Sequence, residues 1–244
     1  MSAVLRSELF KLRTTRTALA LVLFFVALLL LVVIASGLAL STHDLAERKN
    51  QFQLLANGSN AAAFAALLGV LAFTSEFRHG TIRPTLLATP RRARVVLAKM
   101  AASTIAGVLL GALGVAIAFG LGRLLMSIRG IPAVLDHRDL ALAIIGSLVV
   151  SGLWGALGAG IGAAVRNQVA AIVGLLVWEL LVENVLFALL PGVGRYLPGQ
   201  ASNSLVQVEV PHLLGVLPGT LVLLGYVVVA GAIGLLVTER RDVA

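Results

Sequence analysis

Apolar residues run along this chain in long blocks, and polar residues are confined to the gaps between them. A helix needs about 20 predominantly apolar residues to cross a bilayer core. Five blocks meet that length, at about 17–40, 98–122, 139–165, 169–190 and 213–237. A sixth, about 58–77, opens among Asn57, Ser59 and Asn60 but carries no charge from Ala61 to Thr74. It is needed to keep the two halves of the chain in a consistent orientation. The pattern predicts an all-α integral membrane protein of six spans, a single domain over 1–244.

Ahead of the first span, Val4, Leu5, Leu9 and Leu12 recur at three- and four-residue spacing, with Arg6, Lys11 and Arg13 elsewhere on the wheel. That pattern predicts an interfacial amphipathic helix with its basic face toward anionic headgroups. A frayed basic anchor is the alternative. Small residues inside the spans include GxxxG spacings at Gly107–Gly111 and Gly158–Gly162. Such pairs let helices approach closely in lipid, and packing within the bundle is expected of them.

Composition agrees with a membrane protein: 59% of residues are hydrophobic and 12% charged, against roughly 45–50% and 25% in soluble domains. Mean hydropathy is +1.01. A net charge of +8 would invite a nucleic-acid partner, but the basic residues lie in short segments beside spans, where orientation accounts for them. No nucleic acid is expected.

With the N-terminus inside, the cytoplasmic segments hold Arg6, Lys11, Arg13, Arg16, Arg78, Arg83, Arg91, Arg92, Arg94, Lys99, Arg166, Arg240 and Arg241. The outer loops hold Arg48, Lys49, Arg123, Arg129, Arg138 and Arg195. The bias is 13 to 6, so both termini are expected in the cytoplasm. Cysteine is absent, which excludes disulfides and thiolate chemistry. The first apolar run is too long for a signal-peptide core, and it is expected to remain as a span.

Between the second and third spans lies SEFRHGTIRPTLLATPRRARVVLA, residues 75–98. Five arginines face a single acid there, Glu76. Thr81 after Gly80 can cap a short helix with Pro84 in its first turn, and Thr89-Pro90 can start another that runs through Arg91, Arg92 and Arg94. Ile82, Leu86 and Leu87 are expected to share one side of the first. A short helix held beside the membrane can dock in a groove on a partner; an ordinary positive-inside loop is the plain alternative.

The string EFRHGTIRPTLLATPRRARVVLAK resembles the segment after the second span in bacterial type-2 ATP-binding-cassette (ABC) exporter permeases. SELFKLRTTR near the start, the six-span spacing and the terminal GLLVTERRDV are similar to the same family. The resemblance implies a transmembrane subunit that forms a homodimer or heterodimer and binds cytoplasmic ATPase subunits. ATP and Mg would sit on that partner, and no cofactor in this chain. It also implies the bacterial plasma membrane, an interfacial helix at the N-terminus and a coupling helix at Thr81 to Ala88. Glu76, Gly80 and Thr81 occupy the motif's acidic and Gly-Thr positions. With Arg78, Arg83, Leu86 and Leu87 they form the expected ATPase-contacting set, in a loop of about 76–94.

Glu179 and Glu183 lie four apart in the fifth apolar run and share a helix face. An acid at that depth is costly and must face the bundle or water. The pair is assigned to a transport path or outer gate, with a structural role for the acids as the alternative. Glu183 is expected where the helix gives way to the family's re-entrant outer hairpin, which Pro191-Gly192 and Pro198-Gly199 fit; Asn184 stands where the family often has Pro.

The histidines show no metal-ligand spacing, and HExxH, GxSxG and GxxxxGK[ST] are all missing. The chain is therefore expected to be no enzyme by itself, and to move an amphipathic or lipid-like substrate out of the cell with a separate ATPase. An intramembrane hydrolase and a passive channel are the alternatives.

Overall fold

In the computed structural model, residues 2–88, 91–206 and 212–240 are described; within them the chain is helical, with no strand. An N-terminal helix α1 (Ser2–Thr14) turns at Thr15 into α2 (Arg16–Ala39). A short α3 (Thr42–Ala46) leads to α4 (Arg48–Ala56), a 3₁₀ turn (Asn57–Asn60) and α5 (Ala61–Arg78). Next come α6 (Ile82–Ala88), α7 (Arg92–Ile128) and α8 (His137–Val165). The fifth span is α9 (Gln168–Val177), a π turn (Trp178–Val182) and α10 (Glu183–Leu189). Two short helices, α11 (Pro191–Gly194) and α12 (Pro198–Leu205), precede α13 (Val216–Arg240). Among the described residues, six helical stretches are long and apolar enough to cross a membrane. The chain is an all-α, multi-pass membrane protein.

The polar opening of the second span does not end its helix. Arg48–Arg78 is continuous over 31 residues, with Asn57–Asn60 wound tighter as the 3₁₀ turn. Gln51 makes this possible: it is fully buried, and its amide donates to Pro132 O and accepts from Val134 N. The third span is likewise longer than its apolar run, reaching 37 residues.

The core lies where α5, α7 and α8 meet, and small residues set the distance. A Cβ on Gly69 would stand 2.2 Å from Gly155 O, one on Gly158 2.0 Å from Ala66 O, and one on Gly107 2.2 Å from Ser151 O. Both GxxxG pairs are thus used inside the bundle, as packing in lipid requires. Around this contact, Phe25, Leu29, Phe64 and Leu110 fill one cluster and Val70, Trp154, Leu157 and Leu223 another. The fifth and sixth spans are peripheral, with 11% and 17% of their most apolar windows buried.

The bundle has two polar ends. At one, Arg92 donates to Thr238 O and Arg166 to Val237 O, gathering the starts or ends of α7, α8 and α13. At the other, Arg48 grips Asp139 with two hydrogen bonds, and Arg129 donates to Gly37 O and Leu40 O. Asp139 also completes a reciprocal cap with Asp136 at the start of α8.

Candidate functional site

At the end that holds α1, four charges meet beneath the helices. Lys99 has no exposed side-chain surface and donates to Glu8 Oε2 at 2.6 Å, Glu76 Oε1 at 2.8 Å and Ala72 O at 2.9 Å. Lys11 reaches the same acids from the rim, at 2.8 Å to Glu8 Oε1 and 2.7 Å to Glu76 Oε1. Two acids and two lysines cancel, and Lys99 fills its three donor positions. The network fastens α1 to α5 and α7.

Burial opposes the charge on Lys11, but hydrogen bonds to Glu76 and Glu8 outweigh it and raise its pKa above the ordinary lysine value. The stabilisation is fully present below about pH 10.4 and is lost as pH climbs through the raised value.

This placement redirects two expectations. Glu76 was assigned to the partner-facing loop; it is 7% exposed and held by lysines of its own chain. Lys11 was assigned to the headgroup face of α1; it turns inward, while Arg6 and Arg13 are exposed. The missed residue is Glu8, 3% exposed, which sits within the stripe of Leu5, Leu9 and Leu12. An acid on an apolar stripe needs a buried cation, and Lys99 at the foot of the third span was the available one.

The adjoining loop carries α6. Gly80 adopts φ +70°, which side-chain-bearing residues rarely take, so the chain reverses there and rises into Thr81. Thr81 N donates to Glu76 O, and Thr81 O accepts from Thr85 N as the helix begins. Arg78 is exposed and reaches Gln168 Oε1 at 3.4 Å. Ile82 and Leu87 do not share a side: Ile82 is 3% exposed and Leu87 84%. Five residues at 3.6 per turn rotate the chain about 140° away from its starting face. The side chains of Arg83 and Leu86, and the Thr89-Pro90 helix start, lie outside the described residues. A cavity of about 530 Å³ opens between α1, α5 and the start of α6, lined in part by Glu8, Lys11, Glu76, Arg78 and Thr81.

At the opposite end, α10 stays helical to Leu189, past Glu183 and Asn184. The hairpin therefore starts at Leu190, later than the sequence suggested. Pro191 and Pro198 each sit in the first turn of their helices, where a missing N–H costs nothing. Glu183 is buried and accepts from Gln200 N at 2.8 Å, so its carboxylate caps α12 and draws the hairpin back into the bundle. A Cβ on Gly199 would stand 2.9 Å from Glu183 Oε1, so a side chain there would push the carboxylate aside. Trp154 Nε1 donates to Ser202 Oγ at 2.6 Å and secures the same helix.

What changes between Glu179 and Glu183 is the winding. The π turn adds a residue to the helix, and Asn184 Nδ2 donates to the carbonyls of Glu179 and Leu180 inside it. Single π turns in α-helices occur often at functional sites. Both acids line one cavity of about 210 Å³ together with Asn60 and Trp154. The structure thus joins the two residues that the sequence paired. His43, Asp44 and Glu47 also approach one another, but all three are exposed, and Ser41 already engages Asp44 at 2.6 Å; they make no metal centre on that geometry alone.

No protein-family model matches the chain, and no curated protein matches it either.

Proposed function

We propose that the chain is the transmembrane permease subunit of an ATP-driven ABC exporter in the bacterial plasma membrane. Both termini lie in the cytoplasm, and α6 is the helix through which a separate ATPase acts. The subunit works as a homodimer or with a second permease, and ATP and Mg stay on the ATPase. Its cargo is amphipathic or lipid-like, passing near Glu179 and Glu183.

One observation carries this reading: α6 hangs between two spans, beside the buried network that fastens α1, and turns Leu87 outward at 84% exposure. A seven-residue helix gains little stability alone. Presenting a leucine outside the bundle suits a groove on a partner. The network ties the foot of that loop to two further helices, so a displacement of α6 is passed on.

Reconstitution in liposomes with and without the cognate ATPase tests the proposal. Flux is expected only with the ATPase and ATP; flux from this chain alone would make it a passive channel. Leu87→Ala is expected to weaken co-purification of the ATPase by about 2 kcal/mol, the loss typical of a buried anchor, or to uncouple hydrolysis from transport. An undiminished complex removes α6 from the interface.

Topology has its own check. Cysteines at Ser2 and Arg92 are expected to resist an impermeant thiol reagent added outside intact cells, whereas one at Asn203 is expected to label. Labelling at Arg92→Cys would reverse the orientation.

A further inference from the structure

The cavity behind the π turn holds about 210 Å³, far more than the roughly 10–15 Å³ that one water requires. Its lining is one-sided in charge: Glu179 and Glu183 face it, and the described lining residues include no Lys, Arg or His. It is also one-sided in hydrogen bonding. Glu183 is 1% exposed and engages Gln200 N through Oε1, while its Oε2 has no partner among the described residues. Glu179 Oε2 is buried without one as well.

Four side-chain donors around these oxygens are committed elsewhere, and among the lining amides Gln200 Nε2 is the one left to donate. Asn184 Nδ2 serves two backbone carbonyls, Trp154 Nε1 serves Ser202, and Asn203 Nδ2 serves Gln200 Oε1. Ser59 Oγ serves Ala56 O. Acceptors and negative charge are left over, in a space large enough for several heavy atoms. A buried acceptor without a partner costs about 1–3 kcal/mol, more if charged, so these oxygens call for donors, which water or the head group of a ligand can supply.

We propose that this cavity binds the ammonium head of an organic amine. An ammonium carries a positive charge and three N–H donors with no acceptor, the complement of what the cavity lacks. Charge-assisted hydrogen bonds to two carboxylates are the strong kind. Trp154 is among the lining residues, and an indole offers carbon surface to the stem of an amine and attraction to its cation. The proposal rests on the permease reading for its meaning, since there it names the head group of the cargo; the binding itself needs only this chain.

The test uses the purified chain in nanodiscs without any ATPase. Trp154 lines the cavity and Trp178 opens the π turn, and they are the two tryptophans of the protein. Intrinsic fluorescence and thermal unfolding are followed while n-butylammonium chloride is titrated at constant ionic strength. n-Butanol, sodium butyrate and sodium chloride serve as matched probes, and Trp178→Phe isolates the signal of Trp154.

A saturable response is expected from butylammonium alone. Glu179→Gln is expected to weaken it roughly tenfold or more, the order of one charge-assisted hydrogen bond, and Glu179→Asp to retain most of it. An equal response to butanol would make the site an apolar crevice, and an equal response to sodium a simple counter-ion site; either overturns the proposal, as does unchanged saturation in a folded Glu179→Gln protein. The butanol and sodium arms decide the matter even where a variant fails to fold. Failure here leaves an ATP-dependent permease standing with other cargo, whereas ATP-independent flux with binding intact removes the permease and leaves the site.

Discussion

Replacing Lys99 with methionine is expected to destabilise the protein by about 3–5 kcal/mol, the loss seen when one partner of a buried ion pair is removed. Glu8 and Glu76 would remain in the interior with only the half-exposed Lys11 to balance them. Thermal unfolding in detergent reads the loss, and proteolysis near Thr15 reads the release of α1. Lys11→Met is expected to cost less, since a pair open to solvent contributes roughly 0–1 kcal/mol. The double variant Lys99→Met with Glu8→Gln keeps the charges balanced and is expected to recover part of the stability. A Lys99→Met protein that melts with the wild type would mean the network does not hold α1.

Gly158→Val is expected to prevent assembly of the bundle, and Gly158→Ala to lower the melting temperature measurably. Even one carbon at this position lands 2.0 Å from Ala66 O. The obstacle is backbone on α5, which cannot rotate aside, so α5 and α8 must separate along their shared length. Overpacking of this kind costs about 1–3 kcal/mol and occasionally more. Gly174 and Gly225 provide the contrast, because a Cβ at either meets nothing within 4 Å. Alanine there is expected to be neutral or to add up to about 1 kcal/mol through helix propensity. Equal melting of Gly158→Ala and Gly174→Ala would show that close backbone contact does not organise this core.

The six spans were readable because hydrocarbon imposes one requirement on every residue that faces it, and a run of apolar side chains meets it without tertiary help. What escaped the reading depends on residues far apart in sequence. Glu8 is an acid on an apolar stripe, and only Lys99, 91 positions away, makes sense of it. Gln51 converts a polar segment into the first part of a span by bonding a loop 81 positions on. Glu183 lines one cavity with Glu179, yet its role as a cap on α12 needed the hairpin folded back. The π turn left no mark in the hydrophobic pattern, although Glu179 lies within it and Glu183 and Asn184 follow it directly. On α6 the error was local: Ile82 and Leu87 were placed together, although helical rotation separates them.

Helix α7 is fastened near both of its ends, by Lys99 to Glu8 of α1 and by Arg129 to the last turn of α2. Since α1 runs directly into α2 at Thr15, these members close a four-bar frame around the first and third spans. At 1.5 Å per residue α7 is about 55 Å long, nearly twice the hydrocarbon thickness of about 30 Å. A pinned frame can shear but cannot splay. In the proposed permease, a force applied at α6, which precedes the foot of α7, would emerge at the far end as tilt shared by α2 and α7. About 5° of such tilt carries one end of a 55 Å member by roughly 5 Å, the rise of a helical turn. The protein is built like a parallelogram linkage, with its hinges made of two lysines, two glutamates and one arginine.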